Sequence, residues 1–154
     1  MKREDEAMAW TLKGLSLGSL VRHEEAIKAY DKAISLGIRK DLEAYAWYEK
    51  GSSLGVLGRN EESLKAFDRA INLGLKKRDE AYAWYSSGIS LRNLGRNEEA
   101  IKALDKAINL GLNHRDEAYA WYWTGLSLGT LGRTEEATKA LDKAIKLVVS
   151  FPSR

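Results

Sequence analysis

The chain has 154 residues and a mass of 17.3 kDa, room for one ordinary domain and too little for two full-sized ones. With 44% hydrophobic and 31% charged residues it can bury a core and stay in water, which excludes disorder by composition. One proline and no cysteine exclude a disulfide-stapled module, a cysteine zinc site and a thiol nucleophile together.

Internal repetition organises everything else. Trp10, Trp47, Trp84 and Trp121 recur every 37 residues, and Gly14, Gly51, Gly88 and Gly125 follow four positions after them. The units run 7–43, 44–80, 81–117 and 118–154, preceded by Met1 to Glu6, and are expected to form one repeat domain over 1–154. Counted from their tryptophans, the second and third units are identical at 26 of 37 positions.

Each unit predicts two helices. The first is illustrated by Asp41 to Leu57, where Ala44, Trp47, Gly51, Leu54 and Leu57 recur at intervals of three and four along one face. It stops at Gly58-Arg59, Gly95-Arg96 and Gly132-Arg133, because glycine takes the left-handed conformation cheaply. The first unit has Val21-Arg22 there, which predicts a less sharp stop. Asn60, Asn97 and Thr134 are the expected caps of the second helices, followed by Glu pairs where the helix dipole favours negative charge. Ala26, Ile27, Tyr30, Ala33 and Ile34 supply an apolar stripe, Gly37, Gly74 and Gly111 close the second helices, and short basic linkers follow.

Helix pairs this short bury their apolar faces only by stacking, so a solenoid is expected. A buried Trp contributes about 2–3 kcal/mol, which would make the four repeating tryptophans a large share of the stacking energy. The glycine after each Trp is expected at close helix contact, since glycine otherwise costs a helix about 1 kcal/mol.

The residues Ala-Tyr-Ala-Trp-Tyr, then Gly51, Leu54, Leu57, Gly58, Glu62, Phe67, Ala70 and Leu73, resemble the tetratricopeptide repeat, and the likeness recurs in all four units. The resemblance implies an all-α fold: a right-handed α-solenoid of four antiparallel helix-turn-helix repeats, eight helices, with the first helix of each pair lining a concave groove. The family unit normally has 34 residues. The three extra lie in 38–41, 75–79 and 112–116, and either start the first helices earlier or lengthen the linkers. Glycine replaces the proline that usually ends the second helix.

On that implied groove lie Met8, Thr11, Leu12, Leu15, Gly18 and Ser19 of the first unit, and Tyr45, Tyr48, Glu49, Ser52, Gly55 and Val56 of the second. The third unit offers Tyr82, Tyr85, Ser86, Ile89, Arg92 and Asn93, and the fourth Tyr119, Tyr122, Trp123, Leu126, Gly129 and Thr130. Tyrosine gives large apolar area with a polar tip and few rotors to freeze, the profile of a protein-recognition wall. For Tyr45, Tyr82 and Tyr119 a space-filling role between first helices is an equal alternative; Tyr48, Tyr85, Tyr122 and above all Trp123 point to binding. The clamp with which some family members hold acidic C-terminal tails is missing: Thr11, Leu15, Glu49, Tyr82 and Ser86 at its positions supply no cation. The expected partner is a protein or peptide with aromatic or aliphatic anchors, such as an amphipathic helix.

The ends suggest a second mode. Leu141, Ile145, Val148, Val149 and Phe151 form an apolar face near the C-terminus, and Met8, Leu12 and Leu15 one near the N-terminus, which predicts self-association into a homo-oligomer through the ends.

Catalysis, cofactors and metals are not expected. His23 and His114 lie at boundaries of different units with no spaced ligand partner, and consecutive Glu residues on a helix point about 100° apart rather than across a cleft. No apolar run reaches the roughly 18 residues of a membrane span, and the acidic N-terminus is unlike a signal peptide. A cytoplasmic location without membrane contact is therefore expected. Single-stranded nucleic acid is the less favoured partner. Arg39, Lys40, Lys76, Lys77, Arg78, His114 and Arg115 offer cations beside tyrosines, but acids adjoin them and the net charge is only +3.

Overall fold

The 37-residue period becomes eight helices, and the first seven are each followed by a residue of positive φ: Val21, Gly37, Gly58, Gly74, Gly95, Gly111 and Gly132. In the computed structural model, which describes residues 2–150, the helices are α1 (Arg3–Ser19), α2 (His23–Ser35), α3 (Lys40–Val56), α4 (Asn60–Leu73), α5 (Lys77–Asn93), α6 (Asn97–Leu110), α7 (His114–Thr130) and α8 (Thr134–Ser150). There is no strand among the described residues. The chain divides into two compact units, Met1–Lys76 and Lys77–Arg154, each holding two helical hairpins.

Within the first unit, α1 pairs with α2, α3 with α4, and α2 packs on α3; the second unit repeats the pattern with α5, α6, α7 and α8. The three extra residues per repeat lengthen the first helices: α3, α5 and α7 each have 17 residues and begin seven positions before their tryptophan. The cations Lys40, Lys77, Arg78, His114 and Arg115 thus lie in the first turns of helices, not in linkers as expected.

A knob-and-notch contact closes each hairpin. A Cβ at Gly14 would sit 2.5 Å from the Tyr30 ring, at Gly51 2.9 Å from Phe67, at Gly88 2.6 Å from Leu104 and at Gly125 2.8 Å from Leu141. The four knobs occupy the same position of the repeat, and Tyr30, Phe67 and Leu104 are fully buried. Burying such a side chain contributes about 1.5–3 kcal/mol, and the missing Cβ lets the helix backbones approach closely enough to do it. Ser63 adds a buried hydrogen bond, its hydroxyl donating to the Gly51 carbonyl at 2.8 Å.

Leu141 was expected on an exposed end face. The structure instead makes it the knob of the last hairpin, half-buried against Gly125. Ile145, Val148 and Val149 are exposed as expected, and Phe151 lies outside the described residues. Val148 stands where the earlier repeats carry Gly37, Gly74 and Gly111, whose φ of 73°, 106° and 110° ends the second helix, so α8 runs on to Ser150.

The turn at Val21 is as sharp as its glycine counterparts. Arg22 N–H donates to Leu17 O at 2.8 Å and Val21 N–H to Gly18 O at 2.9 Å, the same pair of bonds that Arg59 and Gly58 make to Leu54 and Gly55. These two bonds satisfy the last carbonyls of the first helix, and Val21 is held at φ 61° to make them. The second-helix caps also differ from expectation. Arg59 and Arg96, not Asn60 and Asn97, are the N-cap residues of α4 and α6, and neither makes a side-chain capping bond. The Arg59 guanidinium instead forms two hydrogen bonds to Glu62, at 2.9 and 2.7 Å, and reaches back to Glu24 of the preceding hairpin at 3.3 Å. Arg133 does the same with Glu136 and Glu98.

The repeating tryptophans are half-buried, not buried. Trp10, Trp47 and Trp121 each pack one side on the core, Trp47 on Ile27, Leu54 and Ala66, and Trp121 on Leu128, Ala137 and Ala140. Each of the four carries a lysine over its ring, Lys13 on Trp10, Lys50 on Trp47, Lys106 on Trp84 and Lys143 on Trp121, at 4.1–4.9 Å. Their share of the stacking energy is correspondingly smaller, and the fully buried knobs and alanines take the larger part.

Candidate functional site

In the first unit, α3 carries Tyr45, Tyr48, Glu49 and Ser52, all half-buried. Tyr45 and Tyr48 stack with ring centroids 6.2 Å apart, and Tyr48 also meets Phe67 at 6.0 Å, so the second ring is partly a core residue. The Ser52 hydroxyl is returned to the Tyr48 carbonyl at 3.2 Å. Thr11, assigned to the groove from its position, is buried and donates to the Ala7 carbonyl at 2.9 Å; α1 offers exposed Met8 and Leu12 there instead.

The second unit holds the more developed surface. Tyr82 on α5 has a structural use: its hydroxyl donates to Asp116 Oδ2 at 2.7 Å and accepts from Asn113 Nδ2 at 2.7 Å. Asn113 caps α7 by accepting from the Asp116 N–H at 2.9 Å, so one short network ties the start of α7 to α5. Burial, reinforced by the Asp116 carboxylate, holds the Tyr82 phenol above its ordinary pKa. That cap was missed in the sequence, although an Asn three residues before an Asp at the head of a helix is a readable signal.

Tyr119, in the corresponding position one repeat later, and its neighbour Tyr122 are among the exposed large side chains, at 44% and 41% of full accessibility. Trp123 is half-buried, tilted against Tyr122 at 5.0 Å between centroids, with the Arg92 guanidinium 5.0 Å from its ring. The Tyr85 phenol is raised above its ordinary pKa by burial, partly opposed by its hydrogen bond with Trp123. A pocket of about 410 Å³ opens here, walled by Tyr85, Ile89, Tyr119 and Trp123 and floored on one side by Asn113, Arg115 and Asp116. Asn93 is exposed on the same helix as Ile89 and Arg92, and Leu126 is half-buried on α7; neither lines this pocket. Of the residues singled out from the sequence, Tyr85, Ile89, Tyr119 and Trp123 are therefore brought together, with Arg92 beside the Trp123 ring.

No cluster of metal-ligating side chains occurs among the described residues. His23 faces Ser53, its Nδ1 3.2 Å from the hydroxyl. Among the described residues no helix is long and apolar enough to cross a membrane.

Overlapping matches to the tetratricopeptide repeat model cover residues 11–74, 48–111 and 85–148. The chain belongs to the tetratricopeptide repeat family. Solved tetratricopeptide structures share its fold. A crystal structure of MamA superposes with a TM-score of 0.81 over 94% of this chain and 79% of the other, at 23% identity. MamA 41-end from Desulfovibrio magneticus RS-1 gives 0.82 over 97% and 80%, at 21% identity. YrrB, described as a tetratricopeptide protein with an unusual peptide-binding site, gives 0.61 over 92% and 86%, at 23% identity. No curated protein matches the chain. Tetratricopeptide repeats form protein–protein interaction scaffolds and are generally non-catalytic.

Proposed function

We propose that this tetratricopeptide scaffold binds a peptide or helix of a partner protein on the aromatic face of its first helices, without catalysis. The observation that carries the reading is the pocket of about 410 Å³ walled by Tyr85, Tyr119 and Trp123. Aromatic side chains already held in place by neighbours bind with little ordering cost, so the entropy of association falls mainly on the ligand. YrrB, with its peptide-binding site, lends support by its likeness of fold.

The test compares two tryptophans. Trp123→Ala is expected to abolish capture of peptides selected on the wild-type chain while leaving the melting temperature nearly unchanged. Trp84→Ala removes one of the four repeating, half-buried rings, with Lys106 laid on it, and is expected to cost about 2 kcal/mol or more. Equal loss of stability in both variants would make Trp123 a core residue and end the reading.

A second reading, self-association through the ends, has its own observation. Val149 is 72% exposed while its counterpart Ile38 is 8% exposed, and Ala9 is exposed while Ala46 and Ala120 are buried. The faces that stack inside each unit thus recur uncovered on α8 and α1. Sedimentation at tens of micromolar should show concentration-dependent size that Ile145→Lys/Val149→Lys removes; a monomer throughout would refute it.

A further inference from the structure

The repeats depart from one another most tellingly at two touching positions. Arg92 stands where the other three units carry Gly18, Gly55 and Gly129, and Trp123 stands where they carry Leu12, Glu49 and Ser86. In α5 and α7 these two departures meet, the guanidinium 5.0 Å from the indole centroid. Trp123 is also a wall of the pocket, and a second arginine, Arg115, lines the same pocket, 5.9 Å from the Tyr119 ring.

The pocket is lined by one acid, Asp116, and one arginine, Arg115, with Arg92 beside its Trp123 wall. Asp116 is the acid of the pocket, but its Oδ2 already accepts from Tyr82 and from Asn113, each at 2.7 Å. Neither Arg92 nor Arg115 has an ion-pair partner among the described residues, whereas Arg22, Arg59, Arg96 and Arg133 each pair with a glutamate. An arginine held against an aromatic ring with no ion-pair partner can offer its donors to a planar acceptor, and a carboxylate matches that fork with two parallel hydrogen bonds. The apolar part of the lining is Tyr85, Ile89, Tyr119 and Trp123, beside the polar Asn113, Arg115 and Asp116.

Resting on the peptide-binding reading above, we infer that this pocket recognises an acidic–apolar segment of a partner protein: a bulky aliphatic or aromatic side chain fills the pocket, and Asp or Glu residues flanking it pair with Arg92 and Arg115. Charge complementarity selects the occupant. A basic segment meets two guanidinium groups that have no ion-pair partner among the described residues, and a neutral one leaves their donors without an acceptor that improves on water. The site differs in kind from a clamp for a chain's terminal carboxylate, because its cations stand beside aromatic and aliphatic side chains that take up a side chain of the partner.

The experiment is selection of a displayed random 12-residue peptide library on the full chain and, in parallel, on Arg92→Gln/Arg115→Gln. Circular dichroism melts confirm that the variant folds. The wild type is expected to enrich peptides with Asp or Glu within two or three positions of Leu, Ile, Phe or Trp. The variant is expected to lose the acidic preference and keep the apolar one. A synthesised wild-type selectant should bind the glutamine variant roughly tenfold or more weakly, and Arg92→Lys/Arg115→Lys should recover part of the loss. Enrichment of neutral or basic peptides, or the same acidic enrichment on both proteins, overturns this inference and leaves the peptide-binding reading standing. No enrichment on the wild type overturns both. A single-stranded oligothymidylate that displaces the selectant and loses binding in the glutamine variant would assign the arginines to nucleic acid instead.

Discussion

Gly88→Ala adds one methyl group to α5, at the notch where Leu104 of α6 inserts. The new Cβ would lie 2.6 Å from Leu104 Cγ and 2.8 Å from its Cδ2, with the Ala100 carbonyl at 3.4 Å. Carbon atoms in contact sit about 3.5–4.0 Å apart, so roughly 1 Å must be found. Leu104 is fully buried, so a shift away from the new carbon must displace its neighbours. Overpacking of this kind costs about 1–3 kcal/mol, toward the upper end here, and alanine returns about 1 kcal/mol of helix propensity. The net expectation is a loss of about 1–2 kcal/mol, a fall in melting temperature of roughly 3–8 °C for a chain this size. Gly129→Ala is the control: the same chemical change in helix α7, with nothing within 4 Å of the added carbon. It should be neutral or stabilising by up to about 0.5 kcal/mol, the end of a helix giving only part of the propensity gain. Combining Gly88→Ala with Leu104→Ala should reveal coupling, because the clash vanishes when the knob is removed. If Gly88→Ala melts at or above Gly129→Ala, the knob-and-notch account of hairpin closure is wrong.

Two further expectations concern the turns. Val21→Gly should stabilise the first hairpin by about 0.5–1 kcal/mol, since a β-branched residue in the left-handed region costs about 1–2 kcal/mol and glycine's greater unfolded freedom offsets only part of it. Val21 is 74% exposed, so little packing is lost, and a lowered melting temperature would contradict the strain argument. Glu62, Glu99 and Glu136 are each held below their usual pKa of 4.5, first by the hydrogen bond from the turn arginine and against a smaller effect of burial. A depressed folded pKa gives a contribution that is complete above 4.5 and lost as the pH falls through the folded value. Replacing all three by Gln should therefore make acid destabilisation below pH 4.5 shallower, with little change at neutral pH, because exposed pairs contribute weakly. Identical acid limbs for the two proteins would show that the pairs do nothing.

The period, the helix-pair unit and the glycine notches were legible in the sequence because each is a local spacing repeated four times. A residue every three or four positions defines a helix face, and a glycine inside that face has few uses besides close approach. The tryptophans misled on degree: an indole large enough to touch two hairpins keeps one side in reach of water, and the lysines laid on Trp10, Trp47, Trp84 and Trp121 occupy that side. Leu141 misled for a related reason, since the same apolar residue reads alike whether it faces its own hairpin or the outside.

Pattern along the chain thus determined the family, the hairpins and the aromatic face of the first helices, all of which follow from which residues recur at which interval. The tertiary structure decided what each ring on that face does. Tyr82 and Tyr119 are one repeat apart and identical in sequence context, yet the first is tied to Asn113 and Asp116 while the second is left exposed. The pairing of Arg92 with Trp123 likewise exists only where α5 and α7 lie side by side. Periodicity assigns a side chain to a face; the neighbouring helix determines whether that side chain is used up in packing or remains available to a ligand.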